Sequence, residues 1–302
     1  MRSGTLTIAT KRKITGFVCV LPCIVVLLLM MAYPVLQTFL FSFSKIELPS
    51  FKLSFNGFNN FISAFSKPDV QLIIRNTIAW TIGSTVLRLS LGLVCALIMN
   101  ADVPGISVLR IIALLPWTVP LIVSSNSWRW MLQSDYGVIN GMLKLMGLNG
   151  FALNWLASSS TALPAVLTAA TWAGYPFVMM MLLSAMQSLP VELYEAARID
   201  GANRFQLFRF ITLPGIKPVL FVVLTLELIN AVNAFDMLFV MTGGGPGGAT
   251  EILGLFVYRL AFVNFDFGEA SSVSVVLIAL VILGFVLYNT ALSRSKHKGE
   301  AA

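Results

Sequence analysis

Charge is what this sequence lacks most. Only 11% of its 302 residues are Asp, Glu, Lys or Arg, against 57% hydrophobic. A soluble domain carries roughly a quarter charged residues, so this composition cannot cover a water-facing surface and the missing solvent must be lipid. Histidine is almost absent: His297 stands alone in a charged tail, which leaves no His-based metal centre or acid–base cluster. The three cysteines, Cys19, Cys23 and Cys95, fall inside apolar runs and read as small core residues, not as a disulfide frame or a metal site. A phosphate-binding G-x-x-x-x-G-K-[ST] run is also missing. The stretch Gly243-Gly244-Gly245-Pro246-Gly247-Gly248 has neither its Lys nor its hydroxyl residue and follows no strand. That stretch reads instead as a flexible exterior turn. The net charge of +7 comes without the aromatic–basic pattern of a nucleic-acid binder, so no nucleic-acid partner is expected.

What is present are long uncharged runs. A bilayer core takes a helix of about 20 apolar residues to cross, and lipid offers the backbone no hydrogen bonds. The runs exceed the roughly ten-residue strands of a membrane barrel, so the expectation is an all-α membrane protein with six spans. These cover 14–42, 74–99, 109–130, 161–186, 219–240 and 270–291, with Pro22 and Pro34 kinking or ending the first. The first is too long for a signal peptide. A polar stretch, 45–72, follows it, and a Gly/Asn/Ser-rich loop, 132–160, precedes span four. Residues 1–13 form an N-terminal segment and 292–302 a tail. If the spans are six, twelve basic residues fall on one side (Arg2, Lys11, Arg12, Lys13, Arg110, Arg198, Arg204, Arg209, Lys217, Arg294, Lys296 and Lys298), seven on the other (Lys45, Lys52, Lys67, Arg75, Arg129, Lys144 and Arg259), and Arg88 within a span. The positive-inside rule then places both termini in the cytoplasm of a multi-pass protein.

The segment 187–218 is the longest charged stretch after span four. Pro190 suits a helix start, and Glu192 and Glu195 suit the positive end of its dipole. Ala196 and Ala197 favour helix, and Gly201 can end it in the left-handed region. A second short helix should run to about Ile211 and stop at Pro214. Phe205 and Phe208, three apart, share a face. The spacing fits either a knob for a groove in a partner protein or an amphipathic helix lying at the interface.

The residues themselves carry a resemblance that decides between these. Glu195-Ala196-Ala197, three residues, Gly201, nine residues, then Ile211-Thr212-Leu213-Pro214 resemble the EAA loop of ABC importer permeases. Phe235-Asp236, Met241-Thr242-Gly243-Gly244-Gly245-Pro246, Tyr258, Ala261-Phe262, Asp266-Phe267-Gly268 and Ala270 are similar to the carbohydrate-uptake branch, and to its maltose-type and glycerol-3-phosphate-type first permeases. The resemblance implies a type I ABC importer permease fold, with a transmembrane domain over 72–291 and a coupling helix in 187–218, between spans four and five. It implies that Glu195, Ala196, Ala197, Asp200 and Gly201 contact an ATPase subunit. It further implies a bacterial cytoplasmic-membrane complex with a second permease subunit, two ATPase copies and a periplasmic or lipid-anchored solute-binding protein. ATP and Mg would be bound by the ATPase, with no cofactor and no catalytic site in this chain. The cargo would be a sugar or a derivative such as glycerol-3-phosphate.

Charged residues inside a span cost roughly 2.5–3.5 kcal/mol on insertion scales and face a bundle interior or a water path. Glu227, Asn230, Asn233 and Asp236 recur every three residues and should drift round one side of span five. Asn donates and accepts, so Asn230 and Asn233 suit a sugar path, or else interhelical bonding. Arg88, near the middle of span two, needs a partner; Glu227 and Asp236 are the candidates, and a substrate anion is the alternative. An ion-coupled secondary transporter would use Arg88, Glu227 and Asp236 as a relay, and would be expected to show inverted repeats. Trp117, Trp128, Trp130 and Trp155 lie near span ends, where aromatic belts are expected.

Overall fold

The computed structural model describes residues 8–47 and 49–300, with side chains for 15–47, 49–284 and 286. Arg2 and the ends of segments 1–13 and 292–302 lie outside the described residues, as do the side chains of the basic clusters at both termini. The chain forms α1 (Ile8–Leu27), α2 (Tyr33–Ser42), β1 (Ser44–Glu47), β2 (Lys52–Phe55), α3 (Asn59–Phe65), α4 (Val70–Met99), α5 (Ile106–Thr118) and α6 (Leu121–Met131). It continues with α7 (Val138–Leu145), α8 (Ala162–Gln187), α9 (Val191–Ile199), α10 (Arg204–Leu207), α11 (Leu213–Val232), α12 (Asp236–Thr242), α13 (Leu253–Tyr258) and α14 (Phe267–Glu300). Among the described residues five helices are long and apolar enough to cross a membrane, and six if the bent pair α5–α6 is one span.

Two compact units divide the chain: 1–66 with 260–276, and 67–259 with 277–302. In the first, the polar stretch after α2 is not loop. β1 and β2 pair antiparallel, Ser44 opposite Phe55. The Asn60 amide, 7% exposed, donates to the carbonyls of Phe41, Ser42 and Ser44 and so fixes where α2 ends. Ser63 donates to the buried Glu269 carboxylate at the start of α14. No part of the most apolar stretch of α1–α2 is buried, and Cys19 and Cys23 are exposed on it rather than in a core. No disulfide forms among the described residues.

The second unit is organised around α4, α8 and α11. α8 buries mostly small residues, Ala165, Val166, Ala169 and Ala170, in one cluster and the larger Val178, Met179 and Leu182 in another. Gly92 of α4 sits against the second: a Cβ there would lie 2.5 Å from Val178 Cγ1 and 3.1 Å from the Met179 amide nitrogen. Small residues let membrane helices approach closely. Gly92→Ala is therefore expected to push α4 and α8 apart, costing about 1–3 kcal/mol through overpacking. A lowered melting temperature of the detergent-purified chain is the measurement that checks it.

Four departures from the sequence reading have physical causes. The third span is not one helix. Val119 is extended (φ −77°, ψ 127°) before Pro120, and α5 and α6 meet at 93°; the residue before a proline is pushed out of the helical region. The loop 132–160 contains α7. Pro214 does not stop a helix: a π turn, Phe208–Thr212, precedes it and α11 starts with the proline in its first turn, so one helical run spans Arg204–Val232. A proline inside a helix lacks a donor and its ring crowds the preceding turn; here that turn is the π turn, and the run continues through it. The same device recurs at Leu28–Ala32 before Pro34. Finally, α11 ends at Val232, not at 240. Asn233 caps it, its side-chain amide turning back to the Ile229 carbonyl.

Candidate functional site

Three places in the second unit carry the polar chemistry. The first is Arg88. Its Nη1 donates to Glu227 Oε2 at 3.0 Å, and its Nε donates to the Ala170 carbonyl at 3.1 Å. One guanidinium thereby ties α4, α8 and α11 together. Glu227 is 3% exposed and Arg88 17%. The close seat depends on Gly174, where a Cβ would stand 2.5 Å from Arg88 Nε. Asp236, the other candidate partner, is exposed at the start of α12.

The four polar residues read as one stripe are therefore separated. Glu227 is buried within the ion pair, Asn230 is exposed on α11, Asn233 is its exposed cap, and Asp236 opens a different helix after the break at Ala234-Phe235. A spacing of three predicts one face only while the helix lasts, and this helix ends before the third member.

The second place is α9 to α10. The α9 helix is complemented at both ends, with Glu192 in its first turn and Arg198 in its last. Gly201 stands at φ +82°. Its amide bonds the Arg198 carbonyl, and the Ala202 amide reaches the Ala197 carbonyl, the double closure of a Schellman cap. Asn203 and Gln206 then form a capping box that starts α10. Tyr194 Oη and Thr212 Oγ1 are 3.0 Å apart, joining α9 to the π turn below α11. Glu195, Ala196, Asp200 and Gly201 are exposed and Ala197 half-buried. Ile199, Phe205 and Phe210 are 87%, 67% and 68% exposed. Phe208 is half-buried while Phe205 is not, so the two do not share one environment.

The third place is the glycine-rich segment after α12. It is pinned, not loose. Asn76 of α4 donates to the carbonyls of Gly248 and Glu251, and the Thr250 hydroxyl donates to the Gly245 carbonyl. Thr77 accepts from the Leu253 amide. Arg259 bridges Asp69, before α4, and Glu251. Burial pushes the Glu251 carboxyl above its ordinary range, and Arg259 pulls it only part of the way back. Sequence reasoning missed these ties because Asn76 and Thr77 lie in an apolar helix and the acceptors are backbone carbonyls.

Among the described residues no group of His, Cys, Asp or Glu could hold a metal ion. Trp117 and Trp130 are exposed at 58% and 70%, while Trp128 and Trp155 pack half-buried against the core cluster that holds Ala165 and Ala169.

Residues 88–296 match the family described as binding-protein-dependent transport system inner membrane component. Over 90% of its length the chain is 37% identical to 92% of the trehalose/maltose transport system permease protein MalF of Thermococcus litoralis. It is 32% identical to the sulfoquinovosyl glycerol transport system permease protein SmoG of Agrobacterium fabrum, covering 88% of this chain and 86% of that one. Its fold is similar to a chain of a bacterial ABC transporter involved in the import of the acidic polysaccharide alginate, with a TM-score of 0.84 at 22% identity over 94% of this chain and 96% of that one.

Proposed function

The chain belongs to the binding-protein-dependent transport system inner membrane components, and we propose that it forms half of the membrane pathway of an ATP-driven sugar importer. The observation that carries the reading is the exposed α9–Gly201–α10 knob, on a chain whose sequence offers no phosphate-binding loop of its own. The sugar class rests on the similarity to permeases for trehalose, maltose and sulfoquinovosyl glycerol.

In this reading α9 is the coupling helix. Glu195, Ala196, Ala197, Asp200 and Gly201 meet a groove of a separate ATPase subunit, which binds ATP and Mg. The exposed Ile199 and Phe205 supply apolar surface for that contact. α9 is taken to be cytoplasmic, and by the positive-inside rule both chain ends as well. A second permease subunit, two ATPase copies and a solute-binding protein complete the complex in the bacterial cytoplasmic membrane. The chain acts as a transport subunit without enzymatic activity of its own. The transport cycle is a shift between two packings, driven by the differential affinity of nucleotide and binding protein for them. Asn230, Asn233 and Asp236, exposed where α11 gives way to α12, are the polar groups offered to a sugar along the path. Arg88 and Glu227 satisfy one another and hold helices together.

That mutual satisfaction also weakens the ion-coupled alternative. A relay needs carboxylates free to titrate along one path, but Glu227 is engaged by Arg88 and Asp236 stands on another helix. In proteoliposomes holding the assembled complex, uptake of labelled sugar is expected to need internal ATP and the binding protein, and to survive a protonophore. Uptake by this chain alone along an ion gradient is the result that refutes the reading.

A further inference from the structure

Two cavities adjoin in the second unit, and Trp155 and Leu132 line both. One, of about 320 Å³, lies between the end of α6, the segment before α8, and the glycine-rich segment after α12. The other, of about 340 Å³, lies on the Trp128 side. Neither contains Asn230, Asn233 or Asp236, so they are distinct from the path residues above.

The first cavity has a fixed frame. The Trp155 indole Nε1 donates to Asn140 Oδ1 at 2.7 Å, and the Asn140 amide, 3% exposed, donates to the Ser134 and Leu153 carbonyls. Thr161 Oγ1 donates to the Trp155 carbonyl at 2.8 Å. Leu132 and Met241 belong to the buried cluster beneath. On the side of the glycine-rich segment, the Thr242 and Thr250 hydroxyls bond each other, and Thr250 donates to the Gly245 carbonyl next to Pro246.

Against this frame stand polar groups with capacity to spare. The Gln133 and Asn154 side-chain amides make no hydrogen bond to another described residue. Arg129 gives only one long bond, from Nη1 to the Val240 carbonyl at 3.4 Å. A held aromatic ring, apolar walls and a few converging amide and guanidinium groups are what a small-molecule site requires. The match is to a sugar ring in particular. Its C–H face suits an indole, and its hydroxyls both donate and accept, as the two amides do.

We infer that this cavity is a second saccharide subsite, with Trp155 as the platform and Arg129, Gln133 and Asn154 as hydroxyl partners. It rests on the proposed sugar-import reading, in which this end of the unit, opposite α9, faces the exterior. A sugar released from the binding protein would be held there before reaching Asn230 and Asn233.

The test uses the complete importer in lipid nanodiscs with the binding protein left out. The probe is whichever labelled sugar the wild-type complex imports with ATP, from a panel of maltose, trehalose and other disaccharides. Saturation-transfer NMR then reads sugar bound to the importer. The double variant Q133A/N154A, which removes two exposed or half-exposed amides without touching the frame, is expected to weaken the signal about three- to tenfold. Asp135→Asn, adjacent but outside the cavity, is expected to leave it unchanged. An unchanged signal in Q133A/N154A overturns the inference. So does a variant that binds sugar normally but needs more loaded binding protein for half-maximal uptake, since the cavity would then be a protein-docking surface. If the wild-type complex imports no sugar with ATP, the proposed function itself fails, and that outcome is recognised before any variant is made.

Discussion

Glu227→Ala is expected to lose about 3 kcal/mol of stability, the range for a buried pair broken from one side. The loss should appear as a large drop in the melting temperature and yield of the purified chain. The reason is what remains behind. Arg88 cannot give up its proton, and its seat against Ala170 and Gly174 leaves it 17% exposed. Arg88→Met breaks the same pair from the other side and should cost a similar amount. Arg88→Met combined with Glu227→Leu should recover most of the loss, since well-packed apolar replacements of a buried pair are often neutral. Gly174→Ala should resemble Glu227→Ala, because the added methyl would displace the guanidinium from between α4 and α8. A Glu227→Ala protein that melts with the wild type would show that the pair contributes nothing.

The second large effect concerns coupling. Gly201→Val places a β-branched residue at φ +82°, where strain of about 1–3 kcal/mol is expected. Nothing lies within 4 Å of a Cβ there, so the penalty is conformational and not a clash. The Schellman closure would open and α9 would leave its angle to α10. ATP-driven uptake should fall about tenfold or more, as that strain applied to the working geometry implies, while the permease pair still copurifies. Gly201→Asn should keep much of the activity, because Asn tolerates the left-handed region. Full uptake by Gly201→Val would remove α9 as the transmitting element.

Much of this architecture was open to reading before any coordinates. Uncharged runs long enough to cross lipid announce themselves, and the Glu195–Gly201 spacing with its following Ile211-Thr212-Leu213-Pro214 is specific. The fold's breaks were harder. Hydropathy is blind to the 93° turn at Val119-Pro120, because both sides are equally apolar. The end of α11 at Asn233 depends on a side chain choosing the backbone over the helix. The pinning of the glycine-rich segment depends on Asn76, which meets it from 172 residues away. Arg88 was visible as a charge in need of a partner, but choosing Glu227 over Asp236 required knowing that α11 stops between them.

The uninterrupted run Arg204–Val232 sets the arithmetic of motion. At about 1.5 Å per residue, Glu227 lies roughly 35 Å from Arg204 and only about 7 Å from Val232. If the Arg88 clamp is the fulcrum of a see-saw, its arms are in a ratio of about five to one. A push of several ångströms at the α10 tip would then move the far tip by about 1 Å, far too little to open a sugar-sized gap by tilting alone. Opening must come either from α4, α8 and α11 swinging together as one pinned body, or from the break at Ala234-Phe235, where the short arm ends.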